Sequence, residues 1–497
     1  MSGDNTPSQK LVMSSSVGQS NRYIWNSGWG VIALLFIYAI VWLAQLSQIS
    51  LSPPVDNLEQ LTWMRSLEWG YYKHPPAPTW LLAGVISVLG WSAMTSYVLG
   101  ASLTLISMFF YWDVLRKLRG SHVAWLSLLA VLCITFYSNR LYYYNHNIVL
   151  MFCISASAWL FVKIFQEEKL YLWGALAIIA ALGMLSKYQF VLIGLVGIWL
   201  YIALGMWKKS IHRKGIFLAL VLASLICLPH LYWLFTQDNT PINYAMKSSL
   251  GAQMSATKRM TWSMLWLLDL VFNRCAPAIV LVGATYLWTR RYKVAQQEQA
   301  PHFAKLFLWS WGSIPVLAMV FMGLVGGVDL QLQWGTAFAL WLVPIIVYIF
   351  GIKEESFLKG NVLFKVTLFF IFIQIVLLTI SYQTSPFGRK PSHHWSEFDS
   401  AALAKEVADP ARQAIGGPIR IIAGPRAASA AIALLMPEQP KILISNDLTI
   451  SPWIKPEELN QAGVIELWPP NAGPNDLKRG PSGWGWKIRA TQELMPE

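Results

Sequence analysis

The sequence predicts an all-α polytopic membrane protein of about eleven transmembrane helices, joined to a small α/β domain at its C-terminal end. Three observations predict it. Of 497 residues, 55% are hydrophobic and only 13% are charged, too few charges for a chain of that length to be solvated by water. The hydrophobic residues are gathered into runs of about 20, the length a helix needs to cross hydrocarbon. From Lys390 onward that character is lost, and the chain turns polar and rich in Pro and Gly.

The residues before about position 28 are rich in Ser, Asn and Gln and carry only Lys10 and Arg22 as basic residues, which reads as a disordered cytoplasmic tail (1–28) and not as a signal peptide. The first apolar segment, Trp29 to Leu46, is then an uncleaved start-transfer helix. Spanning runs follow at 29–48, 95–113, 122–138, 147–165, 171–186, 188–206, 215–235, 262–288, 304–324, 334–351 and 362–382. Together they make a transmembrane domain over 29–383, with a first outer loop over 49–94. The run 77–93 decides the topology. If it crossed, the basic loop of Arg116, Lys117 and Arg119 would fall outside, and every later basic loop would break the positive-inside rule. Laid along the outer surface, or re-entering, it puts Lys208, Lys209, Arg213, Lys214, Arg290, Arg291 and Lys293 in the cytoplasm. The N-terminus is then inside, and the domain 384–497 is extracytoplasmic.

In that domain short apolar strands, Ile419–Ile422 and Ile442–Ile444, flank a helical stretch, Ala427–Leu435, an alternation that suggests an α/β unit. Gly424, Pro425 and Arg426 form a strand-to-helix turn. It reads either as an ordinary turn, lacking a full Gly-rich fingerprint, or as a phosphate cradle at a helix N-terminus. No repeat of the solenoid type is visible.

The formal charge of +13 would suggest nucleic acid for a soluble protein, but here the Lys and Arg sit in short loops between apolar runs, where they orient helices. A nucleic-acid partner is therefore discounted, and membrane lipids are expected. The four cysteines, Cys133, Cys153, Cys227 and Cys275, fall in different apolar runs with no pairing or metal-ligand spacing, and read as small core residues.

With this topology, unusual polar residues gather on one face. The first outer loop holds Pro53-Pro54-Val55-Asp56-Asn57-Leu58-Glu59-Gln60-Leu61, then Trp69-Gly70-Tyr71-Tyr72-Lys73-His74-Pro75-Pro76. Later outer turns carry Asn145-His146-Asn147, Lys187-Tyr188 and Asp329-Leu330-Gln331. Ionisable groups at a membrane boundary are costly, and their convergence is the functional signal. Asp56 and Glu59 fall on one face of a short amphipathic helix running to about Leu67, with Leu58, Leu61, Met64 and Leu67 as its stripe. The plain alternative makes Asp56 an N-cap and Glu59 its capping-box partner. Lys73 and Lys187 read as snorkelling anchors or as phosphate ligands, and His146 as a structural or a site histidine. Asp269 and Arg274, inside an apolar run, either pair or line a cavity.

The acidic motif opening the first outer loop, followed by Tyr72-Lys73-His74-Pro75-Pro76 and a surface helix beginning near Trp80, resembles the bacterial relatives of the protein O-mannosyltransferases and lipid A aminoarabinose transferases, which are GT-C glycosyltransferases. The resemblance runs over residues 29 to 350 in helix order and loop placement. It implies a polyprenyl-phosphate-linked sugar as donor, transfer outside the cytoplasm to a glycolipid, polysaccharide or protein of the envelope, and Asp56 at the position of the family's catalytic acid. Two departures stand out: Asp56-Asn57 with Glu59 a turn later where many relatives have Asp-Glu, and His74 interrupting Lys-Pro-Pro.

The chemistry agrees. Sugar transfer needs a carboxylate to take the acceptor's proton, Asp56 or Glu59, and cations to receive the departing phosphate, Lys73 and Lys187. Tyr72 and His74 beside Lys73, Tyr188 beside Lys187, and His146 in its own outer turn are the substrate-binding candidates. Fixed side-chain charge would make a divalent metal unnecessary, no other cofactor is expected, and a single displacement would invert the anomeric centre. The competing readings are an oligosaccharide ligase or oligosaccharyltransferase, and a transporter or flippase, for which Asp269 and Arg274 are the midplane candidates.

Overall fold

The computed structural model describes residues 27–238, 240–251, 253–292, 302–385, 395–461 and 463–489. The disordered-tail expectation for residues up to 26, the cytoplasmic placement of Lys293, and Lys390 lie outside them.

The membrane core is helical: α1 (Gly28–Ile49), α3 (Ala77–Leu89), α4 (Ala93–Arg119), α5 (Ser121–Leu132), α6 (His146–Glu167), α7 (Leu170–Met184), α8 (Val191–Ala203), α9 (Ser210–Thr236), α11 (Ala256–Leu268), α12 (Ala276–Thr289), α13 (His302–Leu324), α14 (Val343–Ile349) and α15 (Val362–Gln383). Between them lie two short helices, α2 (Val55–Trp63) and α10 (Pro241–Ala245). Among the described residues six helices, α1, α4, α6, α9, α13 and α15, are long and apolar enough to cross a bilayer, and α11 with α12, bent by 56° at the break between them, pass the same test only as a pair. The bend falls at Cys275, between a π-turn, Asp269–Arg274, and Pro277 at the start of α12, both identifiable causes of a sharp kink. Helices α5, α7 and α8 are 12, 15 and 13 residues long, short of the length of a straight span.

Helix ends follow their caps. Ser92 Oγ accepts from Thr95 N to start α4, and the Asn145 side chain accepts from Asn147 N and Ile148 N to start α6. Gly120, at φ +96°, both ends α4 and starts α5, a conformation that L side chains rarely adopt. Glu354 lies against it and accepts from His122 N and Val123 N at 2.9 Å each, neutralising the N-terminus of α5.

Ion pairs sort the helix ends into two faces. Asp113 meets Arg116 and Lys117, and Glu168 meets Lys209, on one face. On the other, Ala77 N donates to Leu185 O, Asn57 to Ser96, and His230 meets Trp69 O. Both ends of the 77–93 segment lie on that second face: Ala77 meets Leu185 there, while Trp91 stacks under Arg65 at 4.0 Å and precedes the α4 start. The segment therefore returns to the face it leaves.

A five-stranded sheet forms near the C-terminus: β1 (Ile421–Gly424), β2 (Lys441–Ile444), β3 (Val464–Trp468), β4 (Lys478–Arg479) and β5 (Gly485–Arg489), in the order β2-β1-β3-β5-β4. β1 runs parallel to β2 and β3, and β5 antiparallel to β3 and β4. Helices α16 (Ser400–Ile415), α17 (Arg426–Leu435) and α18 (Pro456–Gln461) accompany it. Its apolar cluster takes in Leu58, Trp63 and Tyr71 of the first loop, while Leu61 of the same helix belongs to the membrane core. Helix α2 is thus packed between the two bodies. Burying Leu58 and Trp63 there stabilises the junction by roughly 1.5–3 kcal/mol for a leucine and more for a tryptophan.

Candidate active site

Helix α2 ends at Trp63, one turn before the expected Leu67, which is exposed. The capping box is not what forms. Pro54 occupies the N-cap position and makes no side-chain cap, because a proline side chain carries no acceptor. Both carboxylates are thereby free for other partners.

Asp56 Oδ2 accepts from Asn145 Nδ2 at 2.8 Å. It faces a cavity of about 160 Å³ lined also by Arg140, Tyr143, Asn145, Gln333, Thr336 and Trp395. Arg140 lies over the rings of Phe136 and Tyr143, at 5.9 and 5.4 Å, and has no carboxylate partner among the described residues. The loop carrying these groups is held close. A Cβ on Gly100 of α4 would sit 2.1 Å from Tyr143 O, so only glycine lets the helix backbone approach the loop this far. Asn57, fully buried, donates to Ser96 Oγ and Tyr142 O and accepts from Tyr144 N, all within 3.0 Å.

Glu59 points away from that cavity. Its two oxygens receive Lys73 Nζ at 3.0 and 2.9 Å, and Oε1 also meets Arg426 at 2.8 Å. Burial pushes the Glu59 carboxyl up, and Lys73 and Arg426 pull it back. Burial opposes charge on Lys73, but Glu59 outweighs it and holds the ammonium above its usual range. Arg426 also donates to Tyr72 Oη at 3.2 Å, and Lys73 lies 5.7 Å from the Tyr244 ring centre. The Gly424-Pro425-Arg426 turn forms where expected, with Gly424 ending β1 and Arg426 opening α17, but Arg426 is turned toward Glu59 and Tyr72.

Between the two clusters lie His74, His146 and Lys187. The His74 and His146 rings lie against each other, tilted by 34°, with centroids 3.6 Å apart. Burial, then the charges of Lys73, Lys187 and Arg426, hold His74 well below its usual range, so it stands neutral. Lys187 Nζ donates to Asn147 Oδ1 at 2.7 Å and lies 5.1 Å from the Trp334 ring centre. Burial pushes its ammonium down to about 7, against the attraction of Asp56. Tyr188 belongs elsewhere: its hydroxyl meets His230 Nε2 at 2.9 Å, and His230 Nδ1 meets Trp69 O, a strut joining α9 to the first loop. Asp269 and Arg274 pair at 3.0 Å. His74 Nε2 and Asn147 Nδ2 are buried without a partner among the described residues, the kind of cost a site carries toward a ligand.

Arg140 and Trp334 were not singled out in the sequence, and Asn57 only as the residue that departs from an adjacent Asp-Glu. Arg140 had a signal: it is a basic residue between two apolar runs on the face opposite the basic ends of α4 and α9. Asn57 and Trp334 had none beyond their neighbours.

A family model described as dolichyl-phosphate-mannose-protein mannosyltransferase matches residues 73–233. The lipopolysaccharide core galacturonosyltransferase RgtA of Rhizobium johnstonii is 24% identical over 239 residues, 47% of this chain and 47% of that one. The lipid A galacturonosyltransferase RgtD of the same organism is 18% identical over 297 residues, 59% of this chain and 58% of that one. The chain spans about half the length of the curated relatives it matches. The crystal structure of ArnT from Cupriavidus metallidurans bound to undecaprenyl phosphate aligns with a TM-score of 0.58 at 14% identity, over 90% of this chain and 94% of that one, a likeness of fold. Apolar spans carrying a polar site at one face, with a short loop helix between membrane core and sheet, define a multi-pass membrane protein with the GT-C architecture. In family model, curated relatives and fold alike, the chain is similar to GT-C glycosyltransferases.

Proposed function

We propose that the protein transfers a sugar from a polyprenyl-phosphate-linked donor to a cell-envelope acceptor on the outer face of the membrane, with inversion at the anomeric carbon. The observation that carries this reading is the single cavity shared by Asp56 and Arg140, with buried Lys187 near enough for its charge to feel Asp56. That is a base and a cationic end in one enclosure.

Asp56 takes the proton of the acceptor hydroxyl as its oxygen bonds to the anomeric carbon. The bond from that carbon to the phosphate oxygen breaks, and the polyprenyl phosphate departs with the electron pair. Arg140, Lys187 and Lys73, all close enough to Asp56 to share its cavity or feel its charge, receive the growing charge. Glu59, tied to two cations, serves in this scheme by setting the net charge they present. His74, His146 and Tyr72 line the route between the two cationic clusters, and Tyr188 braces it. Side-chain charge supplies what a metal would otherwise provide. The basic helix ends assign their face to the cytoplasm, so the chain crosses eleven times, several times by short helices extended through irregular segments. The site face and residues 384–497 then lie outside, and the catalytic domain spans 29–383.

Mass spectrometry of envelope glycans from cells with and without the protein tests the reading. The expected result is loss of one sugar unit from one glycan class. Loss of a whole oligosaccharide block would indicate a ligase, and an unchanged envelope in cells that make the protein would overturn the proposal.

A further inference from the structure

We propose that Arg426 of the C-terminal unit is a positioning residue of the transfer site: by sharing Glu59 with Lys73 it leaves one positive charge of the cluster uncommitted, available to the phosphate of a lipid-linked donor. This rests on the donor assignment above. Lys73 reaches both oxygens of Glu59, at 3.0 and 2.9 Å, so those two groups alone form a neutral pair that offers a phosphate little. Arg426, 2.8 Å from Oε1, makes the cluster two cations on one carboxylate. It is also the open member, its side chain 39% exposed against 12% for Lys73 and 5% for Glu59.

Its position is fixed by the fold. Arg426 opens α17 directly after β1, and α17 packs on α2, with Leu58, Trp63 and Tyr71 inside the apolar cluster of the C-terminal unit. Tyr72, accepting from Arg426 at 3.2 Å, and Tyr244, edge-on to Tyr72 with centroids 6.1 Å apart, wall the cluster with aromatic rings. The C-terminal unit is thus a working part of the site, supplying charge to a loop that begins hundreds of residues earlier.

The test is binding of a polyprenyl phosphate to the purified full-length protein, read by tryptophan fluorescence, together with transfer kinetics. Arg426→Gln should weaken binding on the order of tenfold, raising KM for the donor with kcat at saturating donor nearly kept, while Arg426→Lys binds as the parent does. Removing the carboxylate as well, in Glu59→Gln/Arg426→Gln, frees Lys73 and restores binding. Glu59→Gln alone, with two unopposed cations, binds more tightly than the parent, and this variant leaves Arg426 in place should Arg426→Gln fail to fold. A double variant as weak as Arg426→Gln would reduce Arg426 to a mechanical strap between α17 and α2. Unchanged binding by Arg426→Gln, or weaker binding by Glu59→Gln, also overturns the role. Failure of the parent to bind polyprenyl phosphate removes the donor assignment itself.

Discussion

Replacing Asp56 with Asn separates catalysis from architecture, because the two roles of that side chain respond differently. Its architectural contact is one hydrogen bond, from Asn145 Nδ2 to Oδ2 at 2.8 Å, and the carbonyl oxygen of an asparagine side chain can accept it equally well. What is lost structurally is a negative charge in the first turn of α2, worth about 0.3–1 kcal/mol. The chemical loss is larger. An amide cannot take a proton at neutral pH, and losing a general base costs roughly a hundred- to ten-thousand-fold in rate, or about 3–5 kcal/mol of transition-state stabilisation. Asp56→Asn should therefore melt within a degree or two of the parent (roughly, from that small free-energy change) and bind polyprenyl phosphate normally. Its transfer of sugar to the envelope acceptor, followed by mass spectrometry in single turnover, should fall by two or more orders of magnitude (approximately). A folded, donor-binding Asp56→Asn protein that transfers at near-parental rate refutes the assignment. The next carboxylate to test is then Glu59.

Lys187, with its ammonium pushed down to about 7 from 10.5, should make donor affinity fall as pH rises through about 7, and Lys187→Arg should flatten that fall; a parent with level affinity from about pH 6 to 9 contradicts it. The same shift has an opposite sign for stability. The unfolded chain holds the proton that the folded one has shed, so this contribution grows from about pH 7 toward 10.5, measurable as a melting temperature that Lys187→Met makes less dependent on pH. Asn57→Ala leaves the buried Tyr144 N–H and Tyr142 O without their partner and should cost about 1–3 kcal/mol in thermal unfolding; an unchanged melt would count against Asn57 as the anchor. A cysteine in place of Ser482, which is exposed, should react with a membrane-impermeant thiol reagent in intact spheroplasts, and reaction only after lysis would reverse the proposed orientation.

Much of this was legible because lipid imposes a length on apolar runs and charge imposes an orientation on their ends. The positions of α1, α4, α6 and α15 follow from the first, and the return of 77–93 to its own face from the second. Helix breaks were less legible. The run 262–288 reads as one span, yet it forms a π-turn at Asp269–Arg274 and bends by 56° directly after it, since hydropathy is blind to a change of hydrogen-bond ladder. Asp56 and Lys187 were readable as ionisable groups at a boundary, where burial has to be explained. Arg426 was read as part of a turn, and its Glu59 partner as a catalytic carboxylate or part of a cap, because a pairing between distant segments leaves no periodic mark on either.

The departure from an adjacent Asp-Glu pair has a physical cause in the fold. Residues of α2 each meet a different body: Asp56 the cavity, Asn57 the 142–144 loop, Leu58 the sheet unit, Glu59 two cations, Gln60 the hydroxyl of Thr79, and Leu61 the membrane core. Position 57 has to donate to Tyr142 O and accept from Tyr144 N while fully buried. An ionised carboxylate there could accept but not donate, and would face a carbonyl oxygen in a dry site at a cost of several kcal/mol (roughly). An amide does both. The second carboxylate stands instead two residues on, on the side of α2 where Lys73 and Arg426 neutralise it. Asp56 is left as the carboxylate facing the cavity, and losing Asn57 should misplace Asp56 by releasing the loop that carries Asn145.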